Sequence, residues 1–382
     1  MAFEYISEQI NQRKRQSLFR KRFAIQSSSD RFIEVGNQQY LNFASNDYLS
    51  INSCLSQTYS QTKLGSTSSA LVTGFHQEHV NLESYLSELM GYEACLLFSS
   101  GFSANASVLK TLMSHADSEI FQDKLNHASL IDGGLASNAK MSRFRHNDLA
   151  HLTQKLKKST SRDKLIVTEG IFSMDGDSAP LAELKKLADK YQAWLMVDDA
   201  HGFGVLGDNG LGSCEQIKPE LLIVTFGKAV ASSGACILCT NEVKDYLLQF
   251  NREYIFSTAM PPLMAKMTQD AIIQLVNATE QRKALKRNIL EFKRQFNEKC
   301  SQLNMQLLDS SSPIQPIIVK DSQLAVDISN KLKHDKIWLT AIRPPTVPKN
   351  TARLRITITA AHKENDITHL INSLAGAFEN NI

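Results

Sequence analysis

Two apolar runs that end in reactive side chains constrain the fold of this chain most strongly. The first is Leu221-Leu-Ile-Val-Thr-Phe-Gly-Lys228, and the second is Trp194-Leu-Met-Val-Asp198-Asp-Ala-His201. Uninterrupted apolar and β-branched residues predict strands of a parallel sheet that is covered on both faces. Ligands of open α/β sheets collect at the carboxyl ends of such strands. The sequence therefore predicts one site that contains Lys228, Asp198 and His201.

These side chains together favour one kind of cofactor. A lysine that follows a strand is usually a solvated loop residue, so Lys228 alone indicates little. A carboxylate at the end of an apolar strand is unfavourable without a partner, and a protonated pyridine nitrogen would satisfy Asp198. A lysine amine in the same pocket can bind a carbonyl cofactor as an imine. We therefore interpret the pair as a site for pyridoxal 5'-phosphate.

Helical and strand patterns alternate along the middle of the chain. A helical pattern over residues 78–90 is followed by an apolar strand over 94–98, a helix that reaches about residue 113, and a further strand over 164–169. The alternation predicts an α/β fold in which a mostly parallel sheet carries helices on both faces.

The two ends of the chain are expected to form smaller parts. A basic helix is predicted up to about Phe23, and Pro261-Pro262 starts a predicted helix that runs to about Lys299. Strand patterns beyond this helix indicate a small α+β domain. We predict an N-terminal helix-and-strand segment over residues 1–45, a large cofactor-binding α/β domain over 46–275, and a C-terminal α+β domain over 276–382.

Composition excludes several classes of function. The 382 residues are 42% hydrophobic, and their net charge of +3 is too small to indicate a nucleic-acid partner. No apolar run is long enough to span a membrane, and the first residues lack a secretion signal, so we expect a cytoplasmic protein. Cys236 and Cys239 lie three apart on a predicted strand and face opposite sides, which favours core thiols over a metal site. No metal is expected.

Two further features leave alternatives open. Ser99-Ser-Gly101-Phe102 joins a predicted strand to a helix, and such a turn presents free backbone N–H groups to a phosphate or forms an ordinary helix cap. His127 follows a short strand, where it is either a ring that stacks on a flat cofactor or a structural histidine.

Four motifs together resemble the α-oxoamine synthases, a family of fold-type I pyridoxal-phosphate transferases. They are Thr225-Phe-Gly-Lys228, Asp198-Asp-Ala-His201-Gly, Glu169-Gly-Ile-Phe-Ser173-Met-Asp-Gly-Asp177 and Ser100-Gly-Phe-Ser-Ala-Asn105. The resemblance runs over nearly the whole chain. Within the family, Asp177-Ser-Ala-Pro-Leu181, Ile342-Arg343-Pro-Pro-Thr346-Val-Pro and Thr351-Ala-Arg-Leu-Arg-Ile-Thr resemble the branch that acts in biotin biosynthesis.

The resemblance implies a role for each matching residue. Lys228 would be the Schiff-base lysine, Asp198 the partner of the pyridine nitrogen, and His127 the ring that stacks on the cofactor. The other cofactor contacts would come from Ser173, His201, Thr225 and the backbone N–H groups of Gly101 and Phe102. The site would lie at a homodimer interface, where Thr258 would reach the partner's phosphate. Arg343 would hold the amino-acid carboxylate, and the remaining substrate contacts would be Arg20, Asn46, His127 and Thr346.

The reaction that the resemblance implies is a decarboxylative condensation. L-alanine would react with a pimeloyl thioester, either pimeloyl-CoA or pimeloyl-acyl carrier protein, with release of CO2 and the free thiol. Three alternatives remain open: a sister activity of the glycine C-acetyltransferase or serine palmitoyltransferase type, an aminotransferase, and a catalytically silent subunit. The last is disfavoured because Lys228, Asp198 and His127 are all present.

Three positions depart from the family pattern. Ser50 stands where glycine is common, Phe203 where threonine is common, and residues 65–70 contain fewer glycines than usual. Glycine permits positive φ, so its loss affects the shape of a loop. The departures concern the entrance of the site and remove no catalytic group.

Overall fold

A computed structural model describes residues 5–54, 59, 62–301, 303 and 305–379. Its backbone contacts divide the chain into two compact units. The first unit comprises Met1–Ser50, Met174–Asp177 and Glu280–Ile382, and the second comprises Ile51–Ser173 and Ser178–Thr279. The three-part division by chain order made from the sequence stays a prediction.

Helices account for much of both units. In the described residues, the α-helices α1 to α12 are, in chain order, Tyr5–Arg15, Gln77–Met90, Gly101–Leu112, Ala128–Ala136, Leu149–Lys158, Leu181–Lys190, Asn241–Phe250, Arg252–Phe256, Pro262–Val276, Thr279–Cys300, Ser322–His334 and Glu364–Glu379. A 3-10 turn spans Ile51–Cys54, and a π-helical turn spans Ala70–Gly74. Within the described ranges, no helix is both long and apolar enough to span a bilayer.

The strands form three sheets. In the described residues, β1 to β15 are, in chain order, Ser27–Ser28, Phe32–Val35, Gln38–Asn42, Ala94–Phe98, Ser118–Asp123, Lys140–Phe144, Asp163–Glu169, Trp194–Asp198, Leu221–Thr225, Ala235–Cys239, Gln306–Leu307, Ile314–Lys320, Ile337–Trp338, Thr340–Ile342 and Ala352–Thr357.

The second unit is built on a seven-stranded sheet with the order β4-β10-β9-β8-β7-β5-β6. Only β10 is antiparallel to its neighbours, so the sheet is mostly parallel, as predicted. Every residue of β4, β9 and β10 is buried, which means that both faces of the sheet are covered there. The predicted core thiols Cys236 and Cys239 are buried on β10. Because β4, β8 and β9 run in one direction, their carboxyl ends meet at one edge of the sheet.

The first unit contains two smaller sheets, with the orders β1-β2-β3-β13 and β11-β12-β15-β14. Its first helix corrects a prediction, because α1 ends at Arg15 and does not continue to Phe23. Ser17 has a φ of 55°, a left-handed conformation that stops a helix. All residues of α1 are exposed, as expected for a strongly basic segment.

The prediction of one long helix from Pro261 to Lys299 is wrong about its continuity. Two helices occupy this stretch, α9 and α10, and they are separated at Asn277 and Ala278. The Asn277 side chain donates a 2.8 Å hydrogen bond back to the carbonyl oxygen of Ile273. It thereby satisfies a carbonyl that the end of a helix leaves free.

Candidate active site

Asp198 is the last residue of strand β8 in the second unit. Its side chain is buried, with 6% exposed, and its Oδ2 accepts a 2.6 Å hydrogen bond from Asn105 Nδ2. Its Oδ1 accepts a 3.1 Å hydrogen bond from the backbone N–H of Ala200. A carboxylate has about four lone-pair positions, so both oxygens keep the capacity to bind a further donor.

Asp199 has a different environment from Asp198. It is fully buried and accepts hydrogen bonds from the backbone N–H and the hydroxyl of Ser213. The absence of side chains at Gly170, Gly202 and Gly212 makes room for its carboxyl group. Burial, together with the nearby Asp198, raises the pKa of Asp199 to about 7. This enclosure leaves no access for a ring nitrogen, so of the two acids Asp198 is the candidate.

Thr225 and Gly101 lie close together at the same edge of the sheet. Thr225 ends β9, and its buried Oγ1 has no hydrogen-bond partner among the described residues. A Cβ on Gly101 would lie 2.5 Å from Thr225 Cγ2, so only glycine allows this close approach. Gly101 begins α3, and the Ser100 hydroxyl caps that helix by accepting from the N–H of Ser103 at 3.1 Å.

The hydrogen-bond donors at this place suit a phosphate group. The first N–H groups of a helix have no partner within the helix, and they attract anions together with the helix dipole. The unpaired hydroxyl of Thr225 supplies a further donor beside the N–H groups of Gly101 and Phe102. The predicted residues Thr225, Gly101 and Phe102 are thus assembled at a place suited to the phosphate of pyridoxal phosphate.

His127 caps the N-terminus of helix α4 with its own ring. Its Nδ1 accepts from the backbone N–H of Ser129 at 3.2 Å, and the ring is solvent-exposed. The Phe102 and His127 rings are nearly perpendicular, with ring centroids 6.4 Å apart. The backbone N–H of His127 donates to Glu169 Oε1 at 2.6 Å. Burial, with the adjacent Asp198, raises the pKa of Glu169 well above its ordinary value.

The remaining predicted cofactor residues lie in the same unit. Lys228 is half-buried three residues beyond the end of β9, in a turn closed by a 2.8 Å hydrogen bond from the N–H of Ala231 to its carbonyl oxygen. His201 is buried, and Ser173 is half-buried and contributes a backbone hydrogen bond to Glu169. Thr258 is exposed and forms an isolated β-bridge with Ser69.

The first unit brings together three of the predicted substrate residues. Arg20 Nη2 donates to Thr346 Oγ1 at 3.2 Å, and Arg343 Nη1 donates to the carbonyl oxygen of Ser17. Burial and the neighbouring charge of Arg20 lower the pKa of Arg343. In the part of the chain that the structure describes, neither guanidinium forms an ion pair with a carboxylate. Two adjacent cations without an acidic partner form a suitable site for an anion.

Asn46 is held by a residue that the sequence did not single out. Its Oδ1 accepts from Tyr48 Oη at 3.2 Å and from both terminal nitrogens of Arg355 at 3.4 Å. Arg355 is buried on β15 of the first unit. Its neighbour Arg353 is buried as well but forms an ion pair with Asp175 at 2.8 Å, so Arg353 is structural. Arg353 and Arg355 lie two apart on β15 and therefore share a face, but their partners differ: Arg353 contacts Asp175 and Arg355 contacts Asn46.

Comparison with known proteins places the chain in a family. The family model described as aminotransferase class I and II matches residues 38–374. The chain belongs to the aminotransferase class I and II family. A curated relative is the 8-amino-7-oxononanoate synthase of Vibrio atlanticus (strain LGP32), which is 45% identical to this chain. The match covers 98% of this chain and 93% of the relative.

Solved structures of the same fold agree with this assignment. An 8-amino-7-oxononanoate synthase from Francisella tularensis is 29% identical, covers 90% of this chain and 98% of its own, and has a TM-score of 0.73. A structure of SPT (serine palmitoyltransferase) with PLP is 25% identical, covers 99% of this chain and 98% of its own, and has a TM-score of 0.89. These comparisons confirm the resemblance that the motifs predicted. They also confirm the predicted fold class.

Proposed function

We propose that the chain condenses L-alanine with a pimeloyl thioester to give 8-amino-7-oxononanoate, CO2 and the free thiol, a step of biotin biosynthesis. The observation that carries this proposal is the 45% identity, over 98% of the chain, to a curated 8-amino-7-oxononanoate synthase. The chain also contains the residues to which the resemblance assigns the cofactor and carboxylate contacts: Lys228, Asp198, His127 and Arg343.

The cofactor is pyridoxal 5'-phosphate. When bound, it supplies an electron-accepting ring that stabilises negative charge at the amino-acid Cα. Thr225 and the first N–H groups of α3 would hold the phosphate, with His201 and Ser173 as further contacts. The Asp198 carboxylate would keep a proton on the pyridine nitrogen, because an opposite charge at close range favours the charged form.

Lys228 and His127 would act at the reacting atoms. The Lys228 amine would hold the cofactor, and as a free amine it would take the proton from the alanine Cα as general base. His127 would lie against the face of the ring and limit its tilt. Both roles require a side chain that reaches the site from a fixed backbone, which the turn after β9 and the start of α4 provide.

The substrates would meet cationic and polar side chains. Arg343 would bind the alanine carboxylate through two parallel hydrogen bonds, with Arg20, Thr346 and Asn46 as neighbouring contacts. The acyl group would arrive as pimeloyl-CoA or pimeloyl-acyl carrier protein. We further propose a cytoplasmic homodimer in which the exposed Thr258 contributes to the partner's phosphate site.

The decisive experiment is a product analysis. Purified protein with pyridoxal phosphate, alanine and pimeloyl-CoA should yield a compound with the mass of 8-amino-7-oxononanoate, and 1-13C-alanine should lose its label as CO2. Lys228→Ala should abolish product, because it removes both the anchor and the general base. Product formation by Lys228→Ala at the wild-type rate would contradict the assigned role.

A sister activity is the second candidate, and the likeness to SPT with a TM-score of 0.89 favours it. It is tested in the same assay by offering serine with palmitoyl-CoA and glycine with acetyl-CoA. We expect alanine with the pimeloyl thioester to react fastest. A faster reaction with either alternative pair would move the protein to that activity.

Arg343→Ala tests the carboxylate site. Charge-assisted hydrogen bonds contribute about 1.5–3 kcal/mol, so the KM for alanine should rise roughly tenfold or more. Arg355→Ala is the matched comparison, because Arg355 is a buried guanidinium that contacts the predicted substrate residue Asn46. A rise in the KM for alanine in Arg355→Ala alone would assign the carboxylate to Arg355 and Asn46.

A further inference from the structure

A continuous chain of hydrogen bonds, buried at Asp198 and partly buried at His127, joins these two residues. Asn105 Nδ2 donates to Asp198 Oδ2 at 2.6 Å and to Ser129 Oγ at 3.0 Å, and Ser129 Oγ lies 2.8 Å from His127 Nδ1. Asn105 on α3 is 1% exposed, and Ser129 on α4 is fully buried. Two of the predicted cofactor residues are thus linked through two side chains that the sequence did not assign to the site.

Elementary hydrogen-bond chemistry fixes the direction of every bond in this chain. An ionised carboxylate only accepts, so Asn105 must present its NH2 group to Asp198. The second hydrogen of the same NH2 group then points to Ser129 Oγ, which accepts it. The single hydrogen of the Ser129 hydroxyl remains for His127 Nδ1, which also accepts from the Ser129 backbone N–H.

The direction of these bonds determines the state of the His127 ring. A nitrogen that accepts two hydrogen bonds carries no proton, so the neutral ring bears its proton on Nε2. At its backbone, His127 is held separately by Glu169 Oε1. An exposed ring therefore has a defined tautomer and a fixed anchor, which a solvated histidine lacks.

We propose that Asn105 and Ser129 are positioning residues that orient the Asp198 carboxylate and hold His127 as the Nε2–H tautomer. This inference rests on the proposed function, because it concerns the residues assigned there to the cofactor ring. Asn105 would fix the rotamer of the Asp198 carboxylate, and Ser129 would fix the orientation of the His127 imidazole, the two side chains assigned to the cofactor ring. The carboxylate and the imidazole are coupled because the Asn105 NH2 group donates both to Asp198 and to Ser129 Oγ, which in turn contacts His127.

The cofactor-free protein provides the first test. In protein labelled with 15N-histidine, the His127 signals are those that disappear in His127→Gln. In wild type we expect a protonated Nε2 and an unprotonated Nδ1 at mildly alkaline pH. A neutral His127 ring protonated on Nδ1 would overturn the proposal. The measurement is made on the wild-type protein, needs a variant only to assign the signals, and depends on no activity.

The second test removes members of the chain. Ser129→Ala and Asn105→Leu should shift the His127 Nδ1 resonance, and Ser118→Ala is the matched control because Ser118 is a buried serine whose hydroxyl has no partner in the described residues. In the loaded enzyme, kcat should fall roughly tenfold in Ser129→Ala while the KM for alanine stays within about twofold, since orientation and not binding is lost.

The outcomes separate the two proposals. Folded variants with an unmoved His127 signal and an unchanged kcat would overturn the positioning role, even if wild type makes the expected product. A wild-type protein that makes no product, but shows the Nε2–H tautomer and the shifted signal in Ser129→Ala, would instead contradict the proposed function. If Asn105→Leu does not fold, the wild-type spectrum and the Ser129→Ala variant still test the positioning role.

Discussion

At the scale of single residues, Asp198 and Asp199 show how adjacent acids acquire different roles. Successive residues at the end of a strand point to opposite sides, so one carboxyl group faces α3 and the other faces the loop at Ser213. Asp198 keeps free lone pairs, whereas Asp199 is enclosed. The two aspartates are chemically identical, and their different hydrogen-bond partners distinguish their roles.

Asp198→Asn should separate cofactor binding from catalysis. The amide has the same size and keeps one acceptor, but it lacks the charge that holds a proton on the ring nitrogen. We expect cofactor occupancy close to wild type and a rate of alanine Cα deuterium exchange that is lower by orders of magnitude. Occupancy and exchange are measured on the same preparation, with Asp199→Asn for comparison. Near-normal exchange in Asp198→Asn would show that its carboxylate is structural.

At the scale of secondary structure, the packing of α3 on α4 creates the link between Asn105 and Ser129. Gly133 of α4 faces α3, where a Cβ would lie 2.8 Å from Ala106 Cα and 3.0 Å from the Ala106 carbonyl oxygen. These are backbone atoms and cannot move aside without a shift of the whole helix. The missing side chain of Gly133 therefore sets the distance between the two helices.

Gly133→Ala should lower the stability of the protein and disturb the site together. Alanine improves helix propensity by about 1 kcal/mol, but overpacking of this kind costs about 1–3 kcal/mol. We expect a lower thermal midpoint and weaker pyridoxal-phosphate binding. Gly376→Ala in α12 is the control, because nothing lies within 4 Å of its Cβ position, and it should raise the midpoint. Unchanged cofactor affinity in Gly133→Ala would show that the spacing of α3 and α4 does not matter for the site.

Much of the fold follows from the sequence because the central strands are apolar throughout. Strands β4, β8 and β9 were predicted at their observed positions, and their ends located Asp198 and Thr225. The ends of helices were predicted less well, since the turn at Ser17 and the break at Asn277 depend on single backbone and side-chain contacts.

The local sequence pattern also did not predict the polar side chains of Asn105 and Ser129 that contact the site residues. Asn105 belongs to a recognised motif, but its link to Ser129 arises from helix packing between residues 24 apart in sequence. Ser50 is a more favourable case. Ser50 stands where glycine is common in the family. Its observed φ of 56° is the left-handed conformation that glycine adopts most easily.

At the scale of the whole molecule, the buried acids should make stability depend on pH. Burial raises the pKa of Asp199 from 3.8 to about 7, so the folded state keeps a proton that the unfolded chain loses above about pH 4. Between about pH 4 and 7 the folded state binds more protons, and stability falls as pH rises. The contribution is fully present below about pH 4 and lost above about pH 7. Glu169 acts in the same direction, because its pKa is also raised.

Asp199→Asn should therefore flatten the pH profile of unfolding. The amide retains an acceptor for the N–H of Ser213 but has no proton to lose, so a pH-dependent contribution on the order of 4 kcal/mol disappears. Relative to wild type, the variant should gain stability as pH rises from 4 to 7 and then run parallel to it. The measurement is the thermal midpoint of the cofactor-free protein across this range, because bound cofactor would add its own proton linkage. Glu183→Gln, at an exposed position of α6, is the control and should leave the shape of the profile unchanged. A variant profile parallel to that of wild type from pH 4 to 7 would mean that Asp199 is ionised in the folded protein, and that the hydrogen bonds from Ser213 outweigh the effect of burial.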